Sequence, residues 1–142
     1  MAKLKQINLI ASNLEETIGF YRRLGLHIPE DDVWRTRSGP HHANAAGGGD
    51  VDLEFDSRRL AGIYNRGFQA ERGRVMIGVE LESRAAVDQL WTQLISEGCQ
   101  GLQPPYDAFW GSRYAVVEDP DGNPVALASA MDPDRRAEPP DL

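Results

Sequence analysis

The chain has 142 residues, of which 41% are apolar, with one cysteine and a formal charge of −7. A chain of this size makes one ordinary domain, or two fused half-domains, with enough apolar side chains for a core, and the lone Cys99 rules out an internal disulfide or a Cys-based zinc cluster. The negative charge argues against a nucleic-acid partner, no apolar run approaches the roughly 20 residues of a membrane span, and Met1 to Lys5 lacks a signal-peptide core, so the expected location is cytoplasmic.

The first predicted element is a strand over Gln6 to Ala11. Asn13 caps the helix that follows, whose apolar stripe of Leu14, Ile18 and Tyr21 ends near Leu24 with Gly25 as a left-handed stop. Short strands are predicted at Val33 to Thr36 and around His42 to Ala45, separated from the next by the turn Gly47-Gly48-Gly49. Asp50-Val51-Asp52-Leu53-Glu54-Phe55 alternates cleanly and reads as a strand. A short helix over Ser57 to Gly67, with Leu60, Ile63 and Tyr64 on one side, links two halves.

The pattern then restarts. Arg74 to Leu81 is a strand, and Ser83 caps a helix that turns Val87, Leu90, Trp91, Leu94 and Ile95 inward and stops at Gly98. Strands over Gln100 to Pro104, Arg113 to Glu118 and Val125 to Ser129 complete the second half, the last two joined by the Asp119 to Asn123 turn. Each half therefore reads strand, helix, strand, strand, strand. The segment from Asp132 onward has no periodicity and is expected to be mobile.

Two motifs carry a family resemblance. Ile10-Ala11-Ser12-Asn13-Leu14-Glu15 leading into Phe20-Tyr21-Arg22-Arg23-Leu24-Gly25-Leu26, and Glu118-Asp119-Pro120-Asp121-Gly122-Asn123, resemble the vicinal oxygen chelate superfamily of glyoxalases, bleomycin-resistance proteins and extradiol dioxygenases. The resemblance covers about residues 4–130. It implies an α+β fold in which two tandem βαβββ modules, 4–56 and 74–130, form an open, cup-shaped mixed sheet with helices outside. Residues 57–73 would link the modules, and 131–142 would form a flexible tail.

The metal-binding members of that family use four ligands, on the first and last strands of each half. The matching positions here are Gln6, a neutral donor, Glu54, a good oxygen ligand, Met76, a poor thioether donor, and Ala126, which has no donor atom. The resemblance therefore points to vestigial metal positions, no metal cofactor, and a pocket that takes an organic guest. A runner-up is a lyase, isomerase or dioxygenase with a divalent metal at Gln6 and Glu54 and a replacement ligand such as His42. A third reading is a metal-free enzyme with Glu54 or Glu80 as base.

Strand alternation assigns the two faces. Ile7, Leu9, Ala11, Val51, Leu53, Phe55, Val75, Ile77, Val79, Leu81, Val125 and Leu127 go to the helix side. Gln6, Asn8, Asp52, Glu54, Met76, Gly78, Glu80, Ala126 and Ala128 go to the other, which in this family encloses the pocket. His41 and His42, being adjacent, point to opposite faces and cannot chelate one ion, and His27 follows the first helix stop. The favoured guest is a small planar or cationic organic molecule, a drug or metabolite that the protein sequesters. It would sit between Trp34 and the rings of Tyr106, Phe109 and Trp110, near Asp52, Glu54 or Glu80. The resemblance also implies a homodimer. Whether Arg113 or Tyr114 faces the pocket stays open at this level.

Overall fold

The computed structural model describes residues 1–23, 26–46, 49–71, 75–118 and 123–142, so the Gly25 stop, Gly47, Gly48, the Arg74 strand start and the turn Asp119 to Gly122 lie outside the described residues. Eight strands form one mixed sheet in the order β2-β3-β4-β1-β5-β8-β7-β6. They are β1 (Lys3–Ala11), β2 (Trp34–Thr36), β3 (Gly39–Asn44), β4 (Asp52–Ser57), β5 (Val75–Leu81), β6 (Gly101–Asp107), β7 (Arg113–Glu118) and β8 (Pro124–Ser129). The first strand of each half pairs parallel with the last strand of its own half, β1 with β4 and β5 with β8, while β1 and β5 meet antiparallel at the centre. This arrangement gives the two predicted modules one continuous sheet.

Helices α1 (Leu14–Arg23) and α3 (Arg84–Ser96) cover the convex face, each packing on its own half. Leu14 and Ile18 bury with Phe55 and Ala43, and Val87 buries with Leu81, Ala115 and Leu127. Phe55 is fully buried, which by itself is worth about 2–3 kcal/mol. The predicted caps are in place: Asn13 Oδ1 accepts from the Glu16 amide, and Ser83 Oγ accepts from the Ala86 amide. Gly98, at φ +91°, ends α3 as its sequence position suggested, and the Cys99 amide closes the turn on the Leu94 carbonyl.

Four apolar assignments change. Val75 and Ile77 of the central strand β5 are 43% and 39% exposed, Val75 bordering an open cleft with Glu16, Thr17 and Tyr21 of α1. Ile63 is exposed while Ala61 is buried in its stead, since α2 (Arg58–Tyr64) turns Leu60, Ala61 and Tyr64 to the sheet. Ile95 is exposed near the end of α3.

Helix α2 packs on the concave face, where Leu60, Ala61 and Tyr64 join Ile10, Met76, Tyr114, Val116 and Ala126 in one cluster. Its position follows from its start: Ser57, the last residue of β4, is also the helix cap and accepts from the Leu60 amide at 3.1 Å. Strand β6 runs through Pro104 and Pro105 to Asp107, longer than predicted; as an edge strand it tolerates prolines and irregular register. Residues after Asp132 contact the aromatic loop, with the Asp132 and Ala137 amides donating to the Gly111 and Phe109 carbonyls. At the far end the Leu142 carbonyl accepts from Thr36 and Ser38 hydroxyls, both at 2.7 Å.

Candidate functional site

Alternation and register together place the concave face. On β1 and β4 the parallel register sets Gln6 beside Asp52, Asn8 beside Glu54, and Ile10 beside Asp56. Across the centre, Gln6 faces Gly78 and Asn8 faces Met76, and farther on Gly78 pairs with Ala126 and Glu80 with Ala128. Strand β3 adds His42 opposite Asp56 and Asn44 opposite Glu54, and Trp34 of β2 stands opposite His42. One half of the floor is polar and the other half apolar.

The polar half is a connected network. Gln6 Nε2 donates to Asn8 Oδ1 at 2.8 Å and to Glu54 Oε2 at 3.0 Å, and Asn8 Nδ2 donates to the same Glu54 oxygen at 3.0 Å and to Asp56 Oδ2 at 2.7 Å. Tyr64 of α2 donates its hydroxyl to Asp56 Oδ2 at 3.1 Å, while His42 Nδ1 meets Asp56 Oδ1 at 2.6 Å. Asp56 is almost wholly buried, so these partners offset the cost of removing its carboxylate from water. At the rim, Lys5 Nζ lies 2.9 Å from Asp52 Oδ2.

These surroundings move the protons. Burial works against a charged His42, but the hydrogen bond and field of Asp56, helped by Glu54 and Asn44, outweigh it and hold the imidazole above its ordinary value. Burial raises the Glu54 carboxyl, with the neighbouring acids adding to it and His42 and Asn8 working the other way. Burial likewise pushes Tyr64 and Tyr114 up, so both phenols stay protonated. Adjacent groups whose proton affinities are displaced in this way mark candidate functional sites.

The apolar half carries the aromatic rings. Tyr114 faces the cup, stacked edge-on with Trp110, Tyr106 and Tyr64 at centroid distances of 5.0, 6.0 and 6.0 Å. Arg113 turns to the helix side, where its Nε donates to Asp88 Oδ1 at 2.9 Å, which settles the phase left open by the sequence. Phe109 meets Trp34 edge-on at 6.0 Å, so the edge strand of the first half and the loop of the second touch above the floor. The loop itself is pinned by Arg84 and Arg113 to Asp107, and by Arg84 to the Gly111 carbonyl.

The predicted residues therefore separate into groups. Glu54 lies in the network, Trp34, Tyr106, Phe109 and Trp110 join the ring cluster, Asp52 is tied to Lys5 at the rim, and Glu80 stands beside Ala128 on the same face. Asp56, Tyr64 and Lys5 are site residues that the sequence reading missed. Extending the alternation of Asp52 and Glu54 by one step would have found Asp56. Gly78 does not leave open room, because the Gln6 side chain lies over it: a Cβ there would come within 2.6 Å of Gln6 Cγ.

The four positions at which relatives hold metal form a poor donor set. Gln6 and Glu54 bond to each other, the Met76 sulfur accepts from the Tyr114 hydroxyl at 3.3 Å, and Ala126 has no donor. Among the described residues no group of three or more His, Cys, Asp or Glu side chains is arranged to hold a metal ion. The residues present do not fit a divalent centre of that kind. Among the described residues no helix is long and apolar enough to cross a membrane.

Three solved structures share the architecture. A hypothetical protein, BH1468 from Bacillus halodurans C-125, matches with a TM-score of 0.63 at 16% identity, over 97% of this chain and 99% of its own. The 2,3-dioxygenase LapB from Pseudomonas sp. KL28 matches with a TM-score of 0.62 at 16% identity, over 97% of this chain and 46% of its own. An NAD-dependent benzaldehyde dehydrogenase from Legionella pneumophila matches with a TM-score of 0.59 at 17% identity, over 89% of this chain and 98% of its own. At such identities the likeness is one of fold, and the range of names shows how little a fold decides about chemistry. No curated protein sequence matches the chain. The model of the Glyoxalase/Bleomycin resistance protein/Dioxygenase superfamily matches residues 3–127, in keeping with the paired modules and the concave floor, and the chain belongs to that superfamily.

Proposed function

We propose that the protein is a metal-independent small-molecule-binding member of its superfamily, which sequesters a drug or metabolite in the concave face of the sheet. The observation that carries this reading is the replacement of metal donors by Met76 and Ala126, both buried, beneath a cluster of rings that includes Trp34, Tyr106, Phe109 and Trp110. The rings offer flat apolar surface, and Glu54 offers an acceptor to a donating or cationic group on the guest. The test is a calorimetric screen of planar organic cations against the wild type, Trp34→Ala and Glu54→Gln. Affinity lost in both variants supports the reading; affinity unchanged in both sinks it. The homodimer implied by the family belongs to the same reading. Exposed Val75 and Ile77 on the convex face supply apolar surface for it, and sedimentation velocity at micromolar concentration tests it.

A second reading, a metal-free enzyme with Glu54 as general base, is favoured by the raised carboxyl of Glu54 beside His42. Turnover that survives a chelator and disappears in Glu54→Gln would select it over sequestration.

A further inference from the structure

We infer that the cup recognises a guest that carries a hydrogen-bond donor and an acceptor together, with Glu54 taking the donor and His42, held by Asp56, presented to the acceptor. This deepens the sequestration reading, on which it rests, by naming the class of guest and the second residue that selects it. The acidic floor looks from sequence like a site for a simple cation. Its acids, taken one at a time, say otherwise.

Asp52 is matched by Lys5 at the rim, and Glu80 adds its field to the same lysine. Both oxygens of Asp56 are taken, one by His42 and the other by Asn8 and Tyr64. Glu54 receives Gln6 and Asn8 on Oε2 alone, and among the described residues its Oε1 has no hydrogen-bond partner. That oxygen is the acceptor left for a guest. The floor therefore sets Lys5 and the imidazole of His42 against its four acids, Asp52, Glu54, Asp56 and Glu80.

His42 is the accessible member of its pair, with a side chain 28% exposed against 2% for Asp56. The bond at Nδ1 fixes the plane of the ring with the Asn44 side chain beside it, and among the described residues no direct hydrogen bond closes Nε2 to a guest. The groups that face the ring are Asp56 and Glu54 from β4, Asn44 from its own strand and Trp34 from β2, while Tyr64 from α2 meets the same carboxylate. Two acids and no described cation in that set favour the doubly protonated ring, so Nε2 presents an N–H. Cross-strand pairing puts His42 beside Asp56 and Asn44 beside Glu54, which makes His42 and Glu54 diagonal neighbours on one face. Such positions lie about 7–8 Å apart at Cα, within the span of one small molecule. A guest with only a positive charge would satisfy Glu54 and be repelled by His42. A zwitterion, or a neutral compound with an N–H and a carbonyl, satisfies both.

The experiment is a calorimetric titration with three probes that share a ring and differ in charge: tryptamine, L-tryptophan and indole-3-propionate. In the wild type tryptophan should bind about tenfold more tightly than either of the others. His42→Gln should bring tryptophan down to the level of tryptamine, and Glu54→Gln should weaken tryptamine and tryptophan alike. Tryptamine binding as tightly as tryptophan, or a preference for tryptophan that persists in His42→Gln, overturns the inference and leaves sequestration standing. No binding of any probe at millimolar concentration overturns both. The wild-type ranking decides the matter even where a variant fails to fold.

Discussion

His42 Nδ1 lies 2.6 Å from Oδ1 of Asp56, its direct cross-strand neighbour, and the other oxygen of the same carboxylate takes Asn8 and Tyr64. Three strands and one helix are thus tied together through one nearly inaccessible carboxylate. Asp56→Ala leaves a half-buried imidazole, a buried amide and a buried phenol without their acceptor, and should cost about 3–5 kcal/mol in urea denaturation. His42→Ala leaves Asp56 with two of its three donors and should cost about 1–2 kcal/mol. Equal losses in the two variants would contradict this account of the network.

The same pair sets a direction for pH. His42 holds its proton more tightly in the folded chain than at its unfolded value near 6.5, so its contribution is full below that value and is lost as pH rises through the native one. Glu54 acts in the same direction, because its folded carboxyl is also raised and stability falls as it ionises. On the acid side Glu15 and Glu30, whose hydrogen bonds to Arg35 lower them, lose their smaller contributions as pH falls. Urea midpoints across pH should therefore peak between roughly pH 4.5 and 6.5 and decline above. In His42→Gln the decline above pH 6.5 should be shallower.

Glu54→Gln keeps an oxygen for Gln6 and Asn8 while removing the group that burial makes costly to ionise. Thermal unfolding at pH 8 should show the variant more stable than wild type, by an amount on the order of 1 kcal/mol. At pH 4, where the wild-type carboxyl is protonated, the two should converge. A variant less stable at pH 8 would mean that the ionised carboxylate holds the network together.

Trp34 bridges the halves by meeting Phe109 at 6.0 Å and His41 at 5.6 Å. Because it is half-buried, Trp34→Ala should cost about 2 kcal/mol rather than the full penalty of a core tryptophan. Its effect on guest affinity should be larger than that of Trp91→Ala, since Trp91 packs on the convex side against α3's own half. Parallel unfolding and binding titrations separate the two.

Gly111 sits at φ +101°, and a Cβ there would run into the Asp132 carbonyl. Gly111→Ala should destabilise by about 1–3 kcal/mol and loosen the contacts of residues 132–142 with the aromatic loop. Limited proteolysis should then cut within 132–142 sooner than in the wild type.

Much of the fold was legible because period and punctuation are local. Asn13 and Ser83 announce their helices through a side-chain oxygen three residues before the amide it caps, and Gly98 announces a stop through its backbone freedom. The alternation of Gln6 with Asn8 and of Asp52 with Glu54 identified one shared face before any pairing was known. Exposure was less legible: Val75 and Ile77 alternate like buried residues yet stay exposed, and helix placement is a long-range outcome.

By itself, the sequence determined the repeated strand and helix order, the caps, and the side-chain chemistry at Met76 and Ala126, because each depends on neighbours a few residues away. Only the tertiary structure decided that α2 lies on the concave face, that Tyr114 rather than Arg113 looks into it, and that His42 and Lys5 compensate the acids of the floor. Those relationships join residues separated by whole strands, and the pairing of strands distant in sequence brings their charges within bonding distance.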